Sequence, residues 1–152
     1  VVGKPFDLVI CHAVMEWMHN PSELLPSLVT MMKPDAYLSL TFYNVKGLIF
    51  KNLLRTNFEK IQARDFHGSR GSLTPINPID PADVFTWAAQ QQLDVLCHSG
   101  IRVFHDYILE KQEREKDPEG LVAMELALST EEPYRSLGRY IHLLCQRHVN
   151  LS

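Results

Sequence analysis

The chain has 152 residues, enough for one domain with a sizeable core, and its 45% hydrophobic and 22% charged residues are ordinary for a globular protein. No apolar run approaches the roughly 18 residues of a membrane span, and the first residues show no basic-then-apolar signal pattern. The net charge of −3 hides an uneven distribution: residues 46–70 carry six cations against two acids, and residues 106–132 nine acids against three cations, so a polyanion would be drawn to the first stretch and repelled by the second.

Three cysteines (Cys11, Cys97, Cys145) are odd in number, far apart and without a Cys-x-x-Cys, which predicts buried thiols in a reducing cytoplasm. The chain begins without Met and almost at once enters an apolar run, so we expect the later part of a longer protein.

In chain order, Leu8-Val9-Ile10 predicts a short strand buried on both faces, with polar groups only where it runs out, at Cys11-His12. Asn20-Pro21-Ser22-Glu23 is a helix-start pattern, followed by Leu24, Leu25, Leu28, Val29 and Met32 on one face. Pro26 lacks the N–H an interior position needs, which predicts a helix beginning one turn late. Lys33-Pro34-Asp35-Ala36 reads as a turn whose Asp35 tolerates a left-handed conformation, and Tyr37 to Tyr43 as a second strand running out at Tyr43-Asn44. A strand, helix and strand with short connections form a parallel, right-handed unit, and ligands bind beyond the carboxyl ends of such strands.

Val45 to Ile61 predicts one amphipathic helix with Lys51, Arg55 and Lys60 toward solvent. Residues 64–81, with Gly68, Gly71, Pro75, Pro78 and Pro81, read as a long loop of the kind that is usually functional or disordered. Asp80-Pro81-Ala82-Asp83 starts another helix, with Val84, Phe85 and Ala88 inward. Leu93 to Val103 reads as a strand interrupted at Ser99-Gly100 and closed by Phe104 to Tyr107. Ile108 to Leu128 is helical and broken near Asp117-Pro118, and Gly138 to His148 is a last strand. The order implies an α/β layout with the final strand antiparallel at an edge. Trp17 and Trp87 are expected in the core.

Arg102 stands out as a lone cation in an apolar strand, costly unless paired. Its guanidinium suits a carboxylate or phosphate, or a salt bridge to Asp106 or to an acid of the helical stretch. His12/His19, His98/His105 and His142/His148 lack zinc-site spacing, so no metal is expected, and no nucleophile elbow is present.

The sequences FDLVICHAVMEWMHNP, LPSLVTMMKP and LSLTFYN resemble the second half of class I S-adenosylmethionine-dependent methyltransferases. CHAVMEW, LSLTFYN, GIRVFHDY and EPYRSLGRYIH, in that order and over nearly the whole chain, resemble the bacterial tRNA 5-carboxymethoxyuridine methyltransferase family. The resemblance implies a Rossmann-like sheet, mostly parallel with an antiparallel final strand, in which residues 1–152 are the C-terminal portion of one domain. The glycine-rich cofactor loop and the acidic residue of the family would lie upstream; Gly68-Ser69-Arg70-Gly71 does not replace that loop, because it leads to no helix. The strand Phe6–Cys11 would then present an apolar edge, and the isolated chain would lack half of the cofactor pocket.

The resemblance further implies S-adenosyl-L-methionine as cofactor, with His12 and Cys11 beside it, and transfer of its methyl group to the carboxylate of a wobble uridine. A carboxylate with a pKa near ~4 is already ionised, so positioning replaces a general base; Tyr43 and Arg102 are the expected positioning residues. Tyr43, Asn44, Arg102, His105, Tyr107 and Arg139 are expected to touch substrate or tRNA, although Arg139-Tyr140 equally suits an edge-strand surface. Lys51, Arg55 and Arg70 are the expected footprint of the anticodon arm. The alternatives are a small-molecule methyltransferase of the same fold, or an interaction module that binds no cofactor.

Overall fold

Four of the apolar runs become strands: β1 (Phe6–His12), β2 (Met32–Tyr43), β3 (Leu93–Ile101) and β4 (Tyr140–Arg147). The structure, a computed structural model that describes residues 3–66 and 74–148, joins them in one sheet of order β1-β2-β4-β3. β1 pairs parallel with β2, and β4 lies antiparallel to both of its neighbours. Three strands therefore run one way and the last runs back, as expected. Its place corrects the reading, because β4 is an interior strand between β2 and β3. Alternation along one strand reports which residues face the core, not which strands lie alongside it.

One face of the sheet is closed. Val9 and Cys11 of β1, Leu38, Leu40 and Phe42 of β2, and Ile141, Leu143 and Cys145 of β4 pack with Leu25 and Leu28 of α1 (Leu24–Val29) and with Val84 and Ala88 of α4 (Pro81–Gln90). Fully burying an aliphatic or aromatic side chain of this size contributes about 1.5–3 kcal/mol, so this layer dominates stability. The other face is open at β1, where Phe6, Leu8 and Ile10 are 55%, 51% and 62% exposed. β1 is thus buried on one face rather than two, and it carries the apolar edge that the resemblance implied.

The late start read for α1 holds, but Met32, expected on its face, lies past its end and opens β2. A 3-10 turn at Pro21–Glu23 precedes the helix, and Pro26 falls in its first turn, where no backbone N–H needs an intrahelical partner. Asp35 is left-handed (φ 59°), but 33–36 is an irregularity inside β2, where the register with β1 shifts, rather than a turn before it. The single helix expected over 45–61 is two, α2 (Val45–Leu54) and α3 (Phe58–Gln62). Thr56 breaks it at φ 55°, and Asn52 accepts from both the N–H and the Nδ2 of Asn57, each at 3.0 Å.

Asp80 caps α4 through Ala82 N–H at 3.0 Å, with Pro81 first in the helix, as its sequence predicts. The stretch 108–128 forms α5 (Lys111–Glu115) and α6 (Pro118–Leu128), divided at Asp117-Pro118 as expected. β3 ends at Ile101, and its irregularity falls between Val95 and Cys97 instead of at Ser99-Gly100. Trp17 is 47% exposed and Cys97 is exposed, contrary to their expected burial, while Trp87 packs against the core.

Candidate functional site

The carboxyl ends of β1 and β2 meet at one rim. His12 lies opposite Thr41, and Thr41 shares the side of β2 that carries Ser39 and Tyr43, away from the core. His12 and Tyr43 therefore stand on a common face. His12 Nε2 is 2.8 Å from Ser39 Oγ, which is 2.9 Å from His142 Nε2, and the two imidazoles meet edge to face at 6.0 Å. Burial, and secondarily the charge of His12, hold His142 below the usual histidine value. No local pattern marks this pair, since Ser39 and His142 sit 103 residues apart. Cys11 points the other way, into the core, where burial and then Glu16 push its thiol up; only its main chain reaches the rim.

Tyr43 is 6% exposed and meets Tyr140 edge to face at 5.3 Å. The Arg139 guanidinium lies 5.7 Å from the Tyr43 ring and 5.9 Å from that of Tyr140, within cation–π range. Burial raises the Tyr43 phenol against the pull of Arg139, so it stays neutral. Asn44 is completely buried. Its Oδ1 caps α2 by accepting from Lys46 N–H at 3.0 Å, and its Nδ2 donates to the carbonyls of Ser136 (2.9 Å) and Gly138 (2.8 Å). It is a scaffold residue that ties the start of α2 to the segment before β4, with no face left for a ligand.

Arg102 lies outside the strand in which it was expected, in a left-handed turn (φ 58°) just past β3. It takes the ion-pair alternative, with Nη2 2.5 Å from Asp106 Oδ1 and 2.8 Å from His105 Nδ1. Asp106 also meets His105 Nδ1 at 3.1 Å and Arg139 Nη1 at 3.4 Å. Burial alone would raise Asp106, but the His105 hydrogen bond and the charges of Arg102, Arg139 and Lys51 outweigh it and hold the carboxyl below its ordinary range. Glu125 of α6 fixes the turn by accepting from the N–H groups of Val103 (2.7 Å), Phe104 (3.1 Å) and His105 (2.7 Å). Nothing in the sequence marks Glu125 apart from the other acids of that helix.

Tyr107 braces the same end. Its hydroxyl lies between the carbonyls of Leu137 and Gly47, which share its one proton, and burial followed by Asp106 keeps it protonated. Gly47 is required here, since a Cβ would lie 2.7 Å from the Gly138 carbonyl oxygen. Lys51, on α2, is half-buried instead of solvent-facing. Burial lowers it, opposed by Asp106, and among the described residues it forms no ion pair. Arg55 is exposed, and Arg70 lies outside the described residues.

Sequence reading also missed Glu16, completely buried with neither carboxylate oxygen hydrogen-bonded. Burial raises it, against the nearby N–H groups of Glu16 itself and of Tyr43. Among the described residues, no group of three or more His, Cys, Asp or Glu could hold a metal ion, and no helix is long and apolar enough to cross a membrane.

No family model matches the chain. It is 38% identical over 143 residues to the tRNA 5-carboxymethoxyuridine methyltransferase of Escherichia coli strain K12, and 37% identical to that of Escherichia coli O157:H7. The matches cover 94% of this chain and 55% of theirs, so the chain spans about half the length of the curated relatives it matches. The resemblance read from the motifs is thereby borne out. Among solved structures, PKMT2 from Rickettsia typhi matches with a TM-score of 0.54 at 15% identity, over 98% of this chain and 37% of that one. The [4+2]-cyclase SpnF matches with a TM-score of 0.50 at 11% identity, over 97% and 51%. At these identities the likeness concerns the fold alone. It supports the Rossmann-like α/β sheet, shared with a protein whose structure is also known in complex with AdoHcy.

Proposed function

We propose that the chain builds the acceptor side of an S-adenosylmethionine-dependent enzyme that methylates the carboxylate of 5-carboxymethoxyuridine in tRNA, giving the methyl ester, in the cytoplasm. The observation that carries this reading is the shared rim of His12 and Tyr43 in a chain 38% identical to enzymes of that name. The residues at the end of β1 suit the cofactor: Ile10, His12, Val14 and Trp17 are exposed, uncharged when His12 is neutral, and offer flat and apolar surface to an adenosyl group. When bound, the cofactor supplies an electrophilic methyl group.

The chain's own task is placement. An acceptor ionised at neutral pH needs its oxygen held in line at roughly 3–3.5 Å and water kept away. Tyr43 and Tyr140 wall the rim, and the Ser39 hydroxyl fixes the His12 ring. Cys11 contributes main chain only. Arg102, His105, Asn44 and Tyr107 hold the surrounding turns in register, while Lys51, Arg55 and Arg70 offer positive charge to the anticodon arm.

The test gives the protein as encoded a methyl-labelled donor and tRNA bearing the free acid. Label should enter that nucleoside and leave as methanol under mild alkali, as an ester does. Label stable to alkali, or confined to small acids, would overturn the reading.

A further inference from the structure

The cations around Asp106 are not equivalent, and their distances separate a tightly paired arginine from a loosely paired one. Three positive groups, Arg102, Arg139 and Lys51, act on a single carboxylate. Arg102 is committed, held by Asp106 Oδ1 at 2.5 Å. Arg139 reaches Asp106 only at 3.4 Å, and its buried Nε has no hydrogen-bond partner. Lys51 is half-buried, with its charged form disfavoured by desolvation and no ion pair to offset it among the described residues. The cluster sets three cations against the one carboxylate of Asp106.

Resting on the function proposed above, we infer that Arg139, with Lys51 as second cation, receives the carboxylate of the acceptor, and that Arg102 serves the fold. Arg139 is well placed for this. Its N–H donates to the Arg102 carbonyl at 3.3 Å and its carbonyl accepts from Asn44 N–H at 2.9 Å, so the guanidinium projects from a fixed point between the ends of β2 and β3. The Tyr43 and Tyr140 rings, 90° apart, hold the guanidinium carbon 5.7 Å and 5.9 Å from their centroids, and a guanidinium is the cation best suited to a carboxylate. The half-buried Tyr140 ring, backed by Tyr43, then forms the wall against which the acceptor lies. A carboxylate bound here adds a second negative charge beside Asp106, which favours the charged form of Lys51 against its burial.

The test measures binding of the free nucleoside 5-carboxymethoxyuridine and of its uncharged methyl ester to the protein as encoded, with S-adenosylhomocysteine present. Wild type should prefer the acid by about tenfold or more, the scale of one charged hydrogen bond. R139Q should abolish the preference and K51Q reduce it, whereas R102Q should lower the melting temperature and keep it. If R139Q does not fold, R139K decides: it keeps the charge but loses the fork, so a several-fold drop supports the assignment. No acid preference in wild type, or a preference intact in R139Q and R139K, overturns it. Ester formation on tRNA with an intact preference in R139Q sinks this inference alone; an Arg139-dependent preference without ester formation sinks the function alone.

Discussion

The two faces of the sheet use the same four strands to opposite ends. Toward α1 and α4, Leu38, Leu40, Phe42, Ile141, Leu143 and Cys145 are no more than 1% exposed, and nothing polar interrupts them. The opposite face takes the alternate residues of those strands and is mixed: apolar and bare at Phe6, Leu8 and Ile10, polar along His12, Ser39 and His142, and cationic where Arg139 covers Tyr43. One face is finished and carries the stability. The other is unfinished, and His12, Ser39, His142 and Arg139 lie on it or at its rim.

The largest effect should come from setting the two faces against each other. Phe42→Ala should cost about 3–5 kcal/mol in urea unfolding, whereas Ile10→Ser should stay within about 0.5 kcal/mol. Equal costs would mean that the bare face is covered in solution, and the contrast would be lost. Next comes the rim, where Gly47→Ala forces a Cβ against the Gly138 carbonyl and should cost about 1–3 kcal/mol. An unchanged melting temperature would show that α2 can shift without consequence.

Glu16→Gln should stabilise by about 1 kcal/mol at neutral pH, since it removes a buried carboxylate without partners. The sign follows from its raised folded-state pKa: the folded protein holds the proton more tightly, so this contribution is full below the ordinary value of 4.5 and is lost as pH rises through the folded value. Wild-type stability should therefore fall across that window relative to Glu16→Gln; parallel pH profiles would contradict the assignment. The smallest effect tests the polar line on the open face. His142 should titrate below the usual 6.5 by NMR, and His12→Asn should move it partway back, because burial remains the larger cause. No movement would mean that the two rings do not sense each other.

Much of the architecture was legible. Asp80-Pro81 marked a helix start, Pro26 a late one, and Asp117-Pro118 a break, because capping and proline chemistry act within a few residues. What escaped was set by distant partners. The interior place of β4 depends on pairing across 103 residues in the case of Ser39 and His142. The turn at Arg102 depends on Glu125, and the burial of Lys51 on the elements packed around α2. Of the candidate residues, His12 and Tyr43 lie at the strand ends where the sequence put them, because strand ends are visible in sequence. Asn44 drew notice as a polar group at such an end and Arg102 as a lone cation in an apolar strand, but both are spent on contacts within the fold, and only folding reveals that.

The most direct test of the shared rim is a crystal structure of the protein as encoded with S-adenosylhomocysteine bound. The account predicts the sulfur beyond the ends of β1 and β2, on the side of the sheet that carries His12 and Tyr43. Sulfur on the side of Phe42 and Leu40, or away from both strand ends, would contradict it.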